Sequence, residues 1–584
     1  MNNKFVSYLN TLHSTDANNK GALAEAQAKE PLFAQLQVDH PWAEDIFRTL
    51  TSPTGKSVIL SGHAGDGKST IAIEVLRKLH HIGKSQLLDG GLKKIDVVNH
   101  ASGEITVVKD LSECSDADRD AIFAAMDEGK RFLLISNTGT LLDFFKAHQA
   151  QIGKSCVEIE NDVLTALDSS MKQSLALGPG LDVYNLSQYD NISLGLQLLE
   201  RIVDSPEWDS CSACPSREVC PVLLNRNLVR NHFGLVKERI GLLYLRTYAY
   251  GNRLTMRQIS AHFAYIMTAG LNCSSIQQDH ITGSLRQIEK YLFVNTFWGD
   301  NGNADNAAAK QITAIRVFES QHLNSNYSPT LERSFWDNVD EATFLSGVHE
   351  LPRLPHRLLI AAKNNSKPKD AAYARRMWRR LVYFLGNSSA SSEMPFDSFL
   401  SAFLNSPMIL KYVGWQKDAA TFKAKALLPS LFSVLQEEFC GFAPPEGSLQ
   451  AKTLFITLRR KNADVRQSAQ LVLRRVNFQE FFKLALDENE ENIPVLIGKN
   501  ALSSIRLVLS LPFLDYIVSR KMGEIGRGLS LSYRDRLEKL MAQIVYNLPE
   551  DNSEELIILK RHEDGSLSTI NVGMTSDGLE VTND

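Results

Sequence analysis

The sequence predicts an α/β chain: a parallel sheet flanked by helices, a helical lid, and a long, mainly α-helical C-terminal region ending in a β-hairpin. Three observations predict it. Ser57-Val58-Ile59-Leu60 reads as a short buried strand, running through a glycine-rich loop at 62–67 into helically spaced apolar residues from Ile71 to Leu79. From about 51 to 205, short apolar strands alternate with amphipathic helices, the pattern of a parallel sheet covered on both faces. Beyond about 206 the period is helical to about 545. Leu556–Leu559 and Thr569–Val572 then flank Glu563-Asp564-Gly565-Ser566, where Asp-Gly marks a tight hairpin turn.

Residues 1 to about 50 are expected to be helical, with a polar break at Thr15-Asp16-Ala17-Asn18-Asn19 and a turn at His40-Pro41. Pro41-Trp42-Ala43-Glu44-Asp45-Ile46-Phe47 starts a helix, since proline in a first turn gives up an N–H that has no intrahelical partner. The candidate strands are Val58–Leu60, Ile105–Val108, Phe132–Ile135 and Val183–Leu186, with a helix over about Ala117 to Glu128. Residues 206 to 290 turn helical and more basic. Polar loops are expected at Gly299-Asp300-Asn301-Gly302-Asn303, Gly386-Asn387-Ser388-Ser389 and Ala443-Pro444-Pro445-Glu446-Gly447.

With 584 residues the chain exceeds the size at which one core stops growing. The expected division is a helical segment 1–50, a core 51–205, a lid with a Cys-rich insertion 206–295, a helical region 305–545 and a hairpin and tail 550–584. Hydrophobic residues at 43% and charged residues at 22% are ordinary for a globular protein, and a net charge of −4 gives no global pull toward nucleic acid. No apolar run approaches the ~20 residues that cross a bilayer. The N-terminus, Met1-Asn2-Asn3-Lys4, lacks the apolar core of a signal peptide. Seven unevenly spread cysteines argue against a disulfide framework, so a reducing, cytoplasmic location is expected.

The run Gly62-His63-Ala64-Gly65-Asp66-Gly67-Lys68-Ser69-Thr70 fits G-x-x-x-x-G-K-[ST], the P-loop pattern. Strand, glycine loop and helix bring backbone N–H groups and a helix N-terminus onto an anion. Lys68 is then placed for the β/γ-phosphates of a nucleoside triphosphate, and the Ser69 hydroxyl for Mg²⁺. Hydrolysis needs a metal-holding carboxylate and a group that positions water. Asp110, just past the strand Ile105–Val108, is the candidate Mg²⁺ carboxylate (Walker B), and Glu113 the weaker candidate for activating water. The competing reading makes Asp110 a helix cap.

The next strand ends in Ser136-Asn137-Thr138-Gly139, which sets a short amide beside the neighbouring carboxylate. Leu254-Thr255-Met256-Arg257-Gln258-Ile259 opens a later helix with Thr255 as N-cap. This order resembles the AAA+ and STAND ATPases: Walker A, Walker B, sensor 1 on the following strand, then a helical lid. The resemblance implies a P-loop NTPase fold, with Asn137 as sensor 1 and Arg257 as the lid's phosphate-sensing arginine. A plain turn at Asn137 is the alternative. Arg253, Arg246 and Arg239 are rivals to Arg257, in cis or as a finger toward a neighbouring subunit.

Cys211-Ser212-Ala213-Cys214 and Cys220-Pro221 form C-x₂-C-x₅-C-P, a spacing that can aim three thiolates at a zinc ion. His232, Cys273 and Cys156 are candidates for the fourth ligand; a [4Fe–4S] cluster and unmetallated thiols are the other readings. Two basic stretches stand out. From Arg353 to Arg380 nine Lys or Arg accompany one acid, Asp370, around Arg375-Arg376-Met377-Trp378-Arg379-Arg380; the second, 459–475, holds Arg459, Arg460, Lys461, Arg466, Arg474 and Arg475. Both suit a DNA backbone, with Trp378 stacking on a base, or equally a protein contact with Trp378 turned to the core.

The loop Gly-His-Ala-Gly-Asp-Gly-Lys-Ser, the C-x₂-C…C-P insertion and the Leu-Thr-x-Arg helix together resemble the DptF (DndF) ATPases of phosphorothioation-dependent restriction, over roughly residues 50 to 270. That resemblance implies an ATP- and Mg²⁺-dependent subunit of a bacterial defence complex, acting with DNA and with partner proteins or other copies of itself. No nuclease motif is evident. The alternative is a nucleotide-gated signalling scaffold with little turnover.

Overall fold

The computed structural model describes residues 3–14, 31–83, 92–168, 172–177, 180–300, 307–321, 323, 332–333, 335–336, 344–345, 347–364, 366–387, 396–441, 452–458, 468–488, 492–524, 528–548, 555–563, 565–576 and 578–583, with backbone alone at 284–287, 575 and 583. The expected polar stretches at 15–19, 301–303, 388–389 and 443–447 lie outside these residues, as do Asp564 and the basic residues Arg459, Arg460, Lys461 and Arg466. The chain divides into two compact units, 1–394 and 395–584.

The first unit opens with helices α1 (Lys4–Ser14), α2 (Pro31–Leu36) and α3 (Pro41–Thr51), the last starting at proline as expected. Strand β1 (Ser57–Ser61) leads into α4 (Lys68–Leu79), followed by β2 (Ile95–His100) and β3 (Gly103–Val108). Next come α5 (Asp116–Asp127), β4 (Arg131–Ser136), α6 (Thr138–Ala147), α7 (Cys156–Leu167), β5 (Gln173–Leu175) and β6 (Leu181–Asn185). These strands form one sheet in the order β2-β3-β4-β1-β6-β5. The four central strands are parallel, with Val58 opposite Leu133 and Ser61 opposite both Ser136 and Asn185; β2 and β5 close the edges antiparallel.

Every residue of β1 is buried, as a central strand covered on both faces requires. Its alternation divides the core. Val58 and Leu60 pack with Ile71, Val75, Leu133 and Ile135 beneath α3 and α4. Ile59 packs with Phe132, Leu134, Phe144 and Ile159 beneath α5, α6 and α7. The four expected strands are all present; Leu186 alone falls outside, starting a 3₁₀ turn after β6.

After α8 (Ile192–Asp204), the region expected to be helical beyond 206 follows as α9 (Pro221–Asn231), α10 (Phe233–Ala249), α11 (Met256–Thr268) and α12 (Cys273–Thr282). Thr255 caps α11 as expected: its hydroxyl accepts from Gln258 N–H at 3.3 Å while Gln258 Oε1 accepts from Thr255 N–H at 2.9 Å. Helix α1 packs on α11, with His13 edge-on to Tyr265 at 5.5 Å. The unit also holds α13 (Leu354–Lys363) and α14 (Pro368–Leu385).

In the second unit the expectation of helix to about 545 is corrected. Helices α15 (Phe396–Phe403), α16 (Ile409–Lys417) and α17 (Ala424–Cys440) are followed by five strands: β7 (Thr453–Thr457), β8 (Ala469–Asn477), β9 (Phe482–Asp487), β10 (Ile493–Gly498) and β11 (Arg506–Val508). Phe482-Lys-Leu-Ala-Leu-Asp487 is built from helix formers, yet pairing with β10 along its full length sets it as strand. After α18 (Leu511–Lys521) and α19 (Leu531–Asn547), the expected hairpin appears as β12 (Leu556–Arg561) and β13 (Leu567–Thr575), with an unexpected third strand, β14 (Gly578–Asn583). Among the described residues no helix is long and apolar enough to cross a membrane.

Candidate functional site

Residues 62–67 make the turn between β1 and α4. Gly67 caps α4 at φ +95° with no side-chain cap, so the first-turn N–H groups keep no intrahelical acceptor and the positive end of the helix dipole stays open. Gly65, at φ +87°, has a second constraint: a Cβ there would lie 3.2 Å from Thr255 Oγ1 and 3.3 Å from Arg257 Cβ. Gly65 O accepts from Arg257 N–H at 3.4 Å, so the start of α11 rests directly on the loop.

The loop is braced from within. Buried Asp66 accepts from His63 N–H at 2.7 Å and pairs with Arg253 at 2.8 Å. Arg253 also donates to the carbonyls of Tyr189 and Leu186. Lys68 Nζ donates to the carbonyls of Gly62 and His63, at 2.5 and 2.9 Å. Burial lowers the Lys68 pKa, and the carboxylates of Asp66 and Asp110 work in the opposite direction.

A cavity of about 620 Å³ lies over this loop, within the ~300–1,000 Å³ typical of small-ligand sites. All nine residues from Gly62 to Thr70 line it, as do Asp110, Asn137 and Arg257. Strand β4 lies between β1 and β3, which brings Asn137 and Asp110 to the same end of the sheet as the loop. Both also serve the caps that the plainer readings assigned to them. Asp110 Oδ1 accepts from Ser112 N–H at 2.8 Å, and Asn137 Oδ1 accepts from Thr140 N–H at 2.9 Å. Each uses one side-chain oxygen in its cap, leaving Asp110 Oδ2 and the Asn137 amide nitrogen.

Glu113 does not line the cavity; it pairs with Lys109 at 3.4 Å. The rivals to Arg257 do not line it either. Arg253 is committed to Asp66, and Arg246 donates to Gln321 and lies over the Tyr250 ring at 3.8 Å. Arg239 is buried beside Glu238, at 3.5 Å.

Sequence reasoning missed the apolar walls. Tyr8 and Leu12 of α1, Phe33 and Leu36 of α2, Leu194 and Leu198 of α8, and Met256 of α11 all line the cavity. His40, capping α3, lies in the same lining. Pairs at i,i+3 and i,i+4 were the only signal, and every amphipathic helix carries it.

The cysteines of the cluster lie within electrostatic reach of one another and of Cys273: the charges of Cys273 and Cys214 bear on Cys211, and those of Cys211 and Cys273 on Cys220. Cys211, Cys214 and Cys220 are free thiols, and among the described residues no group of three or more His, Cys, Asp or Glu side chains is placed to hold a metal ion. Cys211 accepts from Asn3 Nδ2 at 3.2 Å, and burial pushes the Cys220 thiol up to about 11.

The basic stretch 353–380 is largely engaged within the chain. Trp378 is fully buried in α14, which corrects its reading as a base-stacking residue. Arg357 pairs with Glu289 at 2.9 Å, Arg376 with Asp300 at 3.2 Å, Arg379 with Glu332 at 2.8 Å, and buried Arg380 with Asp300 at 3.1 Å. Of the second stretch, Arg474 and Arg475 sit on β8.

No family model, no curated protein and no solved structure matches the chain.

Proposed function

We propose that the chain binds ATP with magnesium over the loop 62–70 and hydrolyses it, the lid helix α11 following the state of the nucleotide. One observation carries this reading: Lys68, Ser69, Asp110, Asn137 and Arg257, from four separate places in the sequence, line a single cavity at the open N-terminus of α4. Lys68 would exchange two loop carbonyls for phosphate oxygens, a charge-assisted pairing. Ser69 and Asp110 would hold the Mg²⁺, and they suit it, because the Ser69 hydroxyl has no partner among the described residues and Asp110 caps with one oxygen only. The ion would supply neutralisation of charge developing on the phosphates. Arg257, whose guanidinium likewise has no partner among the described residues, is free to turn toward an anion in the cavity.

The setting we propose is a bacterial DNA-directed defence complex, which rests on the resemblance to the DptF ATPases. DNA contact would fall to residues of 353–380 and 459–475 not already paired within the chain, or to partner proteins. A second reading is favoured by the position of Glu113. With that carboxylate outside the cavity, water activation is weakly provided, as suits a nucleotide-gated scaffold.

Calorimetry with ATP and Mg²⁺ tests the site. Wild type is expected to bind, and Lys68→Ala to weaken binding by roughly 10- to 100-fold through lost charge-assisted hydrogen bonds. Wild type giving no heat, or Lys68→Ala at wild-type affinity, overturns the assignment. Turnover measured with and without DNA separates the readings: stimulation supports the DNA-directed ATPase, and a flat, slow rate supports the scaffold.

A further inference from the structure

Three stretches of chain, far apart in sequence, meet around the cysteines of 211–220. Cys211 and Cys214 belong to one turn, with Cys214 N–H donating to Cys211 O at 3.1 Å, so the C-x₂-C spacing keeps both thiols on one loop. Cys220 caps α9 just ahead of Pro221, and the N–H groups of Val222 and Leu223 donate to its sulfur. Helix α12 brings a fourth thiol. Cys273, Gln277 and His280 recur at i, i+4 and i+7, one face of the helix, and that face rests on the loop. Gln277 Nε2 donates to Cys214 Sγ at 4.0 Å, and His280 Nδ1 shares a hydrogen bond with the Ser216 hydroxyl at 2.9 Å. Cys273 itself acts electrostatically on both Cys211 and Cys220. Helix α1 fastens both sides, since Asn3 Nδ2 donates to Cys211 Sγ at 3.2 Å and Asn10 Nδ2 to Leu271 O at 2.8 Å. The other candidates for a fourth ligand are engaged elsewhere: His232 pairs with Glu350 at 3.2 Å, and the Cys156 thiol donates to Gln149 at 3.0 Å.

We infer that Cys211, Cys214, Cys220 and Cys273 together bind one thiolate-ligated metal centre, a [4Fe–4S] cluster or a zinc ion, that ties α12 to the loop 211–220. Soft thiolates select both centres, and each takes four of them. The two differ in span. Zinc holds each sulfur at about 2.3 Å and so sets the sulfurs about 3.8 Å from one another, whereas each thiolate of a cluster binds a different iron and the sulfurs stand farther apart. Among the described residues no three side chains converge on a single ion as they stand, which favours the cluster; zinc would need the thiols turned inward about their Cα–Cβ bonds. Four thiolates leave either centre with a net negative charge, and the groups facing the sulfurs are donors: Asn3, Gln277 and the first turn of α9, with the Arg226 guanidinium acting on Cys211. The site stands apart from the proposed nucleotide loop and does not depend on it.

Protein purified without oxygen would be analysed for iron, acid-labile sulfide and zinc, beside Cys273→Ala, Cys156→Ser and His232→Ala. Wild type is expected to carry about four irons and four sulfides per chain, with visible absorbance that bleaches in air. One zinc per chain with no iron is the other arm of the same site. In either arm Cys273→Ala is expected to hold about tenfold less metal, because a missing ligand opens the shell, while the other two variants keep theirs. X-ray absorption at the metal edge of wild type, expected to show sulfur neighbours only, keeps the test independent of how the variants fold. Wild type with seven titratable thiols and no metal overturns the inference. So do disulfides among these cysteines, a nitrogen or oxygen ligand at the metal edge, full metal retention in Cys273→Ala, or equal loss from Cys156→Ser.

Discussion

Arg253 and Arg257 stand four residues apart, one before α11 and one in its first turn, and act in different ways. Arg253 neutralises Asp66, whose side chain is fully buried, and ties the loop to the carbonyls after β6. Breaking a buried pair by removing one partner leaves an uncompensated charge, at a cost of about 3–5 kcal/mol. Arg253→Met is therefore expected to lower the urea midpoint sharply, with recovery on adding Asp66→Asn. Arg257→Met, by contrast, removes no side-chain partner among the described residues: its midpoint is expected to stay near wild type, with turnover falling by about 10²-fold or more if the guanidinium meets the phosphates. Equal stability losses in the two variants would contradict this division. Both arginines were visible in the sequence as candidates for one role. Only the burial of Asp66 distinguishes them, and a nine-residue motif does not reveal which of its members lies inside the protein.

Among the elements, α5 and α11 show capping that the residue types announce. Ser115 and Asp118 close a box at the start of α5, and Lys94 from before β2 joins them at 2.7 Å. The Lys94 hydrogen bond first, then the Ser115 hydroxyl and N–H, hold the Asp118 carboxyl down to about 2. A carboxyl lower in the folded than in the unfolded chain favours folding above its unfolded value near 3.8, and that contribution disappears as pH falls through about 2. Ser115→Ala is thus expected to melt below wild type at neutral pH, with the gap narrowing between about pH 4 and pH 2; a constant gap would show that the box is not the source. Beta elements were less legible. Strand β1 declared itself through four consecutive apolar or small residues before the glycine loop. Strand β9 did not, because Leu, Ala and Lys favour helix locally and only the ladder to β10 decides otherwise.

For the whole molecule, the largest departure from the sequence reading concerns the basic stretch 353–380. Trp378 sits at 0% exposure in the core of the first unit, and its neighbours Arg376, Arg379 and Arg380 face carboxylates of Asp300 and Glu332. Trp378→Ala is expected to destabilise by about 3–5 kcal/mol, as large core truncations do, and to leave any DNA affinity of the folded protein within twofold. Loss of DNA binding at unchanged stability would return Trp378 to a surface role. The acids that neutralise this stretch lie between 40 and 90 positions away, so a window of local charge counts the arginines and misses their partners.

By itself the sequence determined the phosphate-loop motif, its strand and helix, the parallel strands around it, the caps and the closing hairpin, because short-range pattern and turn chemistry dictate each of them. The tertiary structure alone decided that α1 and the 33–40 segment wall the cavity, that Arg257 rather than its rivals lines it, that Glu113 stays outside the lining, and that Trp378 is buried in the core rather than displayed. Those outcomes depend on which distant surfaces bury one another, and burial is a property of the packed chain that no local spacing encodes.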